Sequence, residues 1–338
     1  MKRRLVFIIS ILAISCALFA GGASESSDSG IMTLKVGTCA PESSTFVQYS
    51  LMASDKLKEL SGGAMSFDVV GGGALGNIPQ HFSQMNQGTL DLFVQGLDAP
   101  AALRGGEDFN ILNVPFLFDD TEHFHAFVES DVLAGMMEKV RENNRVQFLG
   151  LIGDRPARSL ATNKHAVRTP SDLDDLVIRV SESAIPIATW RAFGANVTTS
   201  SANSIYEGLQ TGQFDGQENG IETMVVDGFM AVQDYYMVMD HTQQGVAVFI
   251  ADATIEKLSS EQLGWIKEAI AYVFEETSQE LWEVEVPSYY ETMAENGVTI
   301  VDDVDIQAFQ DIVSDLVPQF EGEYFSEGLY AQIRALAE

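Results

Sequence analysis

Apolar and polar residues alternate over short stretches and then recur every three or four positions, and the switch between these two periods divides the chain into elements. Residues 34–39 and 65–70 read as strands, with a helix at 45–60 between them closed by Gly62 and Gly63. A helix at 77–86 stops at Gly88, 90–94 is a strand, 121–143 is helical, and 146–152 is a short buried strand. This is βαβ order, whose economical form is a parallel sheet flanked by helices.

The alternation repeats in the second half, which points to two α/β lobes. Strands are expected at 177–180 and 197–198, a helix at 204–210, and a turn at Gly212 leading to Phe214 and Asp215. From Ser259 one helical pattern runs to about Glu295, opened by a Ser259/Gln262 capping box, faced by Ile266, Ile270, Val273, Phe274 and Leu281, and closed by Asn296-Gly297. Its ~37 residues would reach roughly 55 Å, long enough to bridge both lobes. Pro287 lies inside it and removes a backbone hydrogen bond, so a kink or break is expected there. A strand at 298–301 and a helix at 304–316 ended by Pro318 complete the chain.

The N-terminus sets the compartment. Lys2, Arg3 and Arg4 precede an apolar run at 5–20 and the small residues Gly21, Gly22 and Ala23, the order of a secretory signal. That run is shorter than the roughly 20 residues of a membrane-spanning helix. Residues 1–23 are therefore expected to be removed, exporting the mature chain to the periplasm, with 24–31 a Ser-rich tether. Cys16 offers an alternative ending as a lipid-anchoring cysteine, although Ala13 stands where a leucine is usual.

Charge removes several classes of function. Nineteen basic residues face 49 acidic ones, a net charge of −30, and no basic tract follows a phosphate backbone, so nucleic acid is not expected as a partner. Two cysteines, Cys16 and Cys39, support neither a zinc cluster nor a disulfide framework. Gly71-x-Gly73-x-x-Gly76 has the spacing of a dinucleotide fingerprint, but an exported chain meets little nicotinamide cofactor, and a tight strand-to-helix turn explains the glycines more simply. Glu122, His123 and His125 are metal-ligating types, yet on a helix positions 123 and 125 diverge by about 200°, so no metal is expected. No nucleophile elbow or metalloprotease motif occurs, and neither catalysis nor a cofactor is expected.

The arginines are more informative. Five of them, Arg155, Arg158, Arg168, Arg179 and Arg191, fall between 155 and 191 in an otherwise acidic chain. Arg179 sits in the apolar strand context Val177-Ile178-Arg179-Val180, where a guanidinium needs a carboxylate, either internal or from a ligand.

The run 205–219, IYEGLQTGQFDGQEN, closely resembles the signature of the DctP-type solute receptors of TRAP (tripartite ATP-independent periplasmic) transporters. The resemblance extends through Thr162-Asn163-Lys164, Pro170-Ser171-Asp172-Leu173, Ile178-Arg179-Val180, 193–197, 72–76 and Pro115-Phe116-Leu117-Phe118, nearly the whole mature chain. It implies a periplasmic-binding-protein-like α/β fold of two lobes, 32–155 with 245–284 and 156–244 with 285–338, joined by crossing strands and a long bridging helix. It also implies reversible capture of a small organic acid and delivery to a TRAP membrane permease driven by an ion gradient.

By the same resemblance Arg179 grips the ligand carboxylate, Arg158 is the second cleft arginine, and Asn219 faces the ligand. The chain departs from the pattern at Gly220, usually proline, and at Asp154-Arg155-Pro156-Ala157, so that Arg155 is an alternative to Arg158. The loop 40–44 with Glu42, and Gln95, occupy cleft-facing places. Asn77, Gln95, Asn203 and Asn219 suit several hydroxyls, favouring a sugar acid over a C4-dicarboxylate. A ligand-sensing module, or an exported enzyme acting on a small carboxylate, is the alternative.

Overall fold

The computed structural model describes residues 30–337, so the expected signal segment, Cys16 and most of the tether lie outside the described residues. Nine strands form one sheet: β1 Met32–Gly37, β2 Met65–Val70, β3 Leu92–Gly96, β4 Val146–Thr162, β5 Val177–Val180, β6 Asn196–Thr199, β7 Gly216–Gly220, β8 Tyr235–Ala251 and β9 Thr299–Val301. Their order is β2-β1-β3-β8-β4-β7-β5-β6, with β9 also on β8.

The sheet is mixed, which corrects the all-parallel expectation. Pairs β1·β2, β1·β3, β5·β6, β5·β7 and β8·β9 are parallel, whereas β3·β8, β4·β7 and β4·β8 are antiparallel. The expected short strand at 146–152 is the first part of a 17-residue strand, and β8 matches it in length. These two run side by side through the middle of the sheet. Their early and late portions carry different neighbours: β3 pairs residues 246–250 of β8, while β7 pairs residues 158–162 of β4.

Burial divides along the same line. Leu34, Val36, Leu57, Val94, Val248, Ile266 and Val273 form one core under β1–β3, while Ala161, Leu209, Phe214, Tyr236 and Met293 form another under β7. A third, larger cluster runs from Phe82 and Phe249 to Ile178, Trp190 and Phe309 and ties the two ends together.

The long helix is present in segments. Ser259 and Gln262 close the expected capping box, an α-helix runs over Ser260–Glu280, a π-helical turn covers Leu281–Glu285, and an α-helix continues over Val286–Glu295. The interruption lies immediately before Pro287, whose ring nitrogen cannot donate and whose ring crowds the preceding turn, so the backbone widens there. The first segment packs on β4 and the helix Thr45–Leu60, the last on β9 and the short helix Glu222–Val225. Two other helices differ from expectation. Residues 121–143 split into Thr121–Val128 and Asp131–Asn144, because Ser130 caps a new helix through Leu133 N–H. Ile306–Phe320 runs past Pro318, since Val317 and Phe320 are buried and the proline costs only one bond in the last turn.

Candidate functional site

Where β4 and β8 cross the middle of the sheet, their register slips. Arg155 lies opposite Gln244 and Arg158 opposite Thr242, so three steps on β4 match two on β8. Pro156 accounts for the position, because it cannot donate to the ladder. In a regular strand residues 155 and 158 would face opposite sides; the extra residue brings both to one side.

That side is the wall of a cavity of about 230 Å³. Gln95, Gly96 and Asp98 enter from the end of β3, Asn113 and Pro115 from the loop beyond, Ser181 from the end of β5, Trp190 from the helix Ala184–Ala192, and Glu218, His241, Gln243 and Gln244 from β7 and β8. The open ends of strands are where ligands bind in such sheets.

Both arginines of the wall are held by acids. Arg158 forks onto Glu218, with Nε 2.5 Å from Oε2 and Nη2 2.8 Å from Oε1. Arg155 Nη2 donates to Glu222 Oε1 at 2.6 Å and its Nη1 to Gln244 Oε1 at 2.9 Å. Burial alone would raise the Glu218 carboxyl, but the Arg158 charge, seconded by His241, draws it down to about 2. His241 Nε2 lies 3.4 Å from Glu218 Oε2, and its ring meets Trp190 edge to face. Asp98 is the remaining charged group of the wall. Burial pushes its carboxyl above the usual range, against the pull of its own N–H, Arg158, Asn113 and Arg155.

Arg179 is placed differently. It is buried on β5, beside Gln217 of β7, and donates through Nε to the Ser200 carbonyl at 3.0 Å, with Nη2 on the same oxygen. Among the described residues it forms no ion pair. Burial lowers its pKa, with Arg158 adding to the effect and Glu218 and Glu182 opposing it. Asn219 donates to Gln217 Oε1 at 2.7 Å, and Gln217 lies opposite Arg179 where β7 pairs with β5.

The structure thus brings Arg155, Arg158 and Gln95 together on the cavity wall, while Asn219 and Arg179 sit on the neighbouring strands β7 and β5 and are not among its lining residues. Asn77 is exposed and spent on a capping box with Gln80, and the exposed Glu42 stands against Gly71; neither lines the cavity. Gly72, Gly73 and Gly76 take positive φ in the turn before the helix Ile78–Asn86, as the turn reading expects. His123 bonds the Ile333 carbonyl and His125 bonds Asp154, so the two imidazoles point to different partners. Sequence reasoning missed Glu218, His241, Trp190 and Asp98. Glu218 sat inside the quoted signature, but pairing across 60 residues leaves no local pattern.

Residues 36–323 match the family described as bacterial extracellular solute-binding protein, family 7, DctP. The chain belongs to that family. It is a DctP-type receptor of the TRAP transporter class, a binding protein and not an enzyme. It is 27% identical over 314 residues to the 2,3-diketo-L-gulonate-binding periplasmic protein of Escherichia coli, covering 91% of this chain and 93% of that one. Among solved structures it resembles a TRAP solute-binding protein of Roseobacter denitrificans with bound L-galactonate, at a TM-score of 0.76 and 25% identity over 91% of this chain and 99% of that one. A TRAP solute-binding protein of Chromohalobacter salexigens shares the fold at a TM-score of 0.80 and 24% identity, covering 90% and 99%. The two-lobed, binding-protein-like α/β architecture with its long segmented helix is therefore that of DctP receptors.

Proposed function

We propose that this DctP receptor captures a sugar acid, in preference to a C4-dicarboxylate, and hands it to a TRAP permease. The observation that carries this reading is a cavity whose wall combines two guanidiniums with the neutral amides Gln95, Asn113, Gln243 and Gln244. Guanidiniums match a carboxylate, and amides both donate to and accept from hydroxyls. The Escherichia coli relative is named for a sugar acid and the Roseobacter structure holds another, which supports the same ligand class here.

In this reading residues 32–155 with 245–284 form one lobe and 156–244 with 285–338 the other, and the lobes close over the ligand. Arg179 is the carboxylate clamp. Of Arg155, Arg158 and Arg179 it alone lacks an acidic partner among the described residues, and a buried cation is costly until an anion reaches it. The ligand carboxylate replaces the Ser200 carbonyl as its acceptor, and Asn219 donates alongside. Arg155 and Arg158, oriented by Glu222 and Glu218, turn their remaining N–H groups to the ligand, while Gln95 serves hydroxyls. Glu42 and Asn77 stay outside this set.

Residues 1–23 direct export to the periplasm, where the receptor is either free after cleavage near Ala23 or anchored by lipid on Cys16; the mass of the mature N-terminus decides between them. A thermal-shift screen against hexuronates, aldonates, C4-dicarboxylates and 2-oxo acids tests the function. A ligand at 100 times its Kd adds about 2.7 kcal/mol, a clear shift, whereas a flat response to every carboxylate overturns the proposal.

A further inference from the structure

Four charged side chains line the cavity apart from His241, and one of them has no partner of opposite sign. Arg158 is committed to Glu218 and Arg155 to Glu222. Asp98 forms no ion pair among the described residues, and it lines the cavity. Its place is fixed from both sides along the chain. The following residues Ala99 and Pro100 are buried at the start of a 3-10 turn, and Asp98 Oδ1 overhangs Gly96, where a Cβ would come within 2.6 Å. The carboxylate therefore stands over a gap that only glycine leaves open. Gln95 and Asn113, its neighbours on the wall, are neutral.

Resting on the receptor reading above, we infer that Asp98 is the specificity-determining residue of this cavity. It accepts hydrogen bonds from neighbouring hydroxyls of the bound acid, so the ligand is a polyhydroxylated monocarboxylate and an unhydroxylated dicarboxylate is refused. A carboxyl group offers acceptors and, once ionised, no donor. Against hydroxyls it makes charge-assisted bonds; against a second ligand carboxylate it sets like charge on like in a site that has displaced water, which discriminates by repulsion as much as by attraction.

The test is titration calorimetry of the wild-type receptor, Asp98→Ala and Asp98→Asn against a panel of hexuronates and aldonates and against succinate and malate, with melting temperature recorded for each variant. The wild type binds a sugar acid and prefers it to succinate. Asp98→Ala weakens the sugar acid about 10- to 100-fold, the range of a hydrogen bond to a charged group, and leaves succinate unchanged or tighter. Asp98→Asn is nearly isosteric and keeps one acceptor, so it loses less and guards against a misfolded alanine variant. Gly96→Ala, which displaces Oδ1, reproduces the alanine pattern. Equal weakening of both ligand classes, no change in either, or a wild type that prefers succinate overturns the role of Asp98 while the carboxylate-receptor reading stands. If no carboxylate binds the wild type, both fall.

Discussion

Arg158 and Glu218 lock together across neighbouring antiparallel strands, and Arg158 Nη2 also reaches the Glu218 backbone carbonyl at 2.6 Å. Three bonds from one guanidinium to one residue make Arg158 a positioned group. What it can still offer a ligand is Nη1, whose recorded neighbour is Gln244 Oε1 at 3.4 Å. The pair orients the cavity wall before any ligand arrives.

Removing one member leaves the other charge uncompensated in a poorly solvated place. Glu218→Gln should therefore lower unfolding stability by about 3 kcal/mol, measured by chemical denaturation near neutral pH. The pH dependence has a definite sign. The Glu218 carboxyl falls from an ordinary 4.5 to about 2 on folding, so its contribution is complete above pH 4.5 and disappears as pH falls through about 2. The wild type should lose its advantage over the variant across that window; an advantage that persists at pH 2 would show that the charge is not what stabilises.

Arg179→Lys keeps a cation but not the planar fork, and a shorter donor set cannot replace both bonds to a carboxylate. Loss of the clamp should cost about 2–5 kcal/mol in ligand binding. Calorimetry should find both Arg179→Lys and Arg179→Ala weakened by at least tenfold, with the melting temperature of the ligand-free protein little changed, because among the described residues the group is hydrogen-bonded only to Ser200. Unchanged affinity in Arg179→Ala would falsify the clamp.

What the sequence made legible followed from local rules. Strands at 65–70 and 177–180 and the helix Thr45–Leu60 were placed to the residue, because alternation, helical period and Gly62-Gly63 are all short-range signals. The continuation of β4 beyond residue 152 was hidden by Asp154, Arg155 and Pro156, which break an apolar pattern. Burial there comes from β7 and β8, distant in sequence. The choice between Arg155 and Arg158 was undecidable from spacing, since a bulge that carries both to one side is set by register with β8. Glu218 and His241 were illegible for the same reason: each is defined by a partner on another strand.

His125 Nε2 lies 2.8 Å from Asp154 Oδ1, and that hydrogen bond, with the Asp154 charge, raises the His125 pKa against the opposing effect of burial. A raised folded-state value adds stability that is complete below the unfolded value of about 6.5 and is lost as pH rises through the folded one. His125→Gln should therefore destabilise the protein most below pH 6 and least at pH 9, read as the difference in melting temperature from wild type. A difference independent of pH would assign the loss to packing against Phe274 instead.

The same aspartate binds the segmented helix: Trp282 Nε1 in the π-helical turn donates to Asp154 Oδ2 at 3.3 Å. A π turn carries one residue more than the α-helix needs, and Pro287, in the first turn of the next segment, keeps the backbone from closing up regularly. This is the point at which one part of the helix can swing relative to the other while both stay packed on their own strands. Ligand should therefore compact the wild-type receptor, seen as a smaller radius of gyration in small-angle scattering. Pro287→Ala restores a donor toward the Glu283 carbonyl and favours continuous α-helix, so it should reduce that compaction and raise thermal stability by about 1–3 kcal/mol. Superimposable scattering profiles with and without a saturating ligand would remove the hinge from this account, and unaltered compaction in Pro287→Ala would move it from the helix to the β4 and β8 crossing.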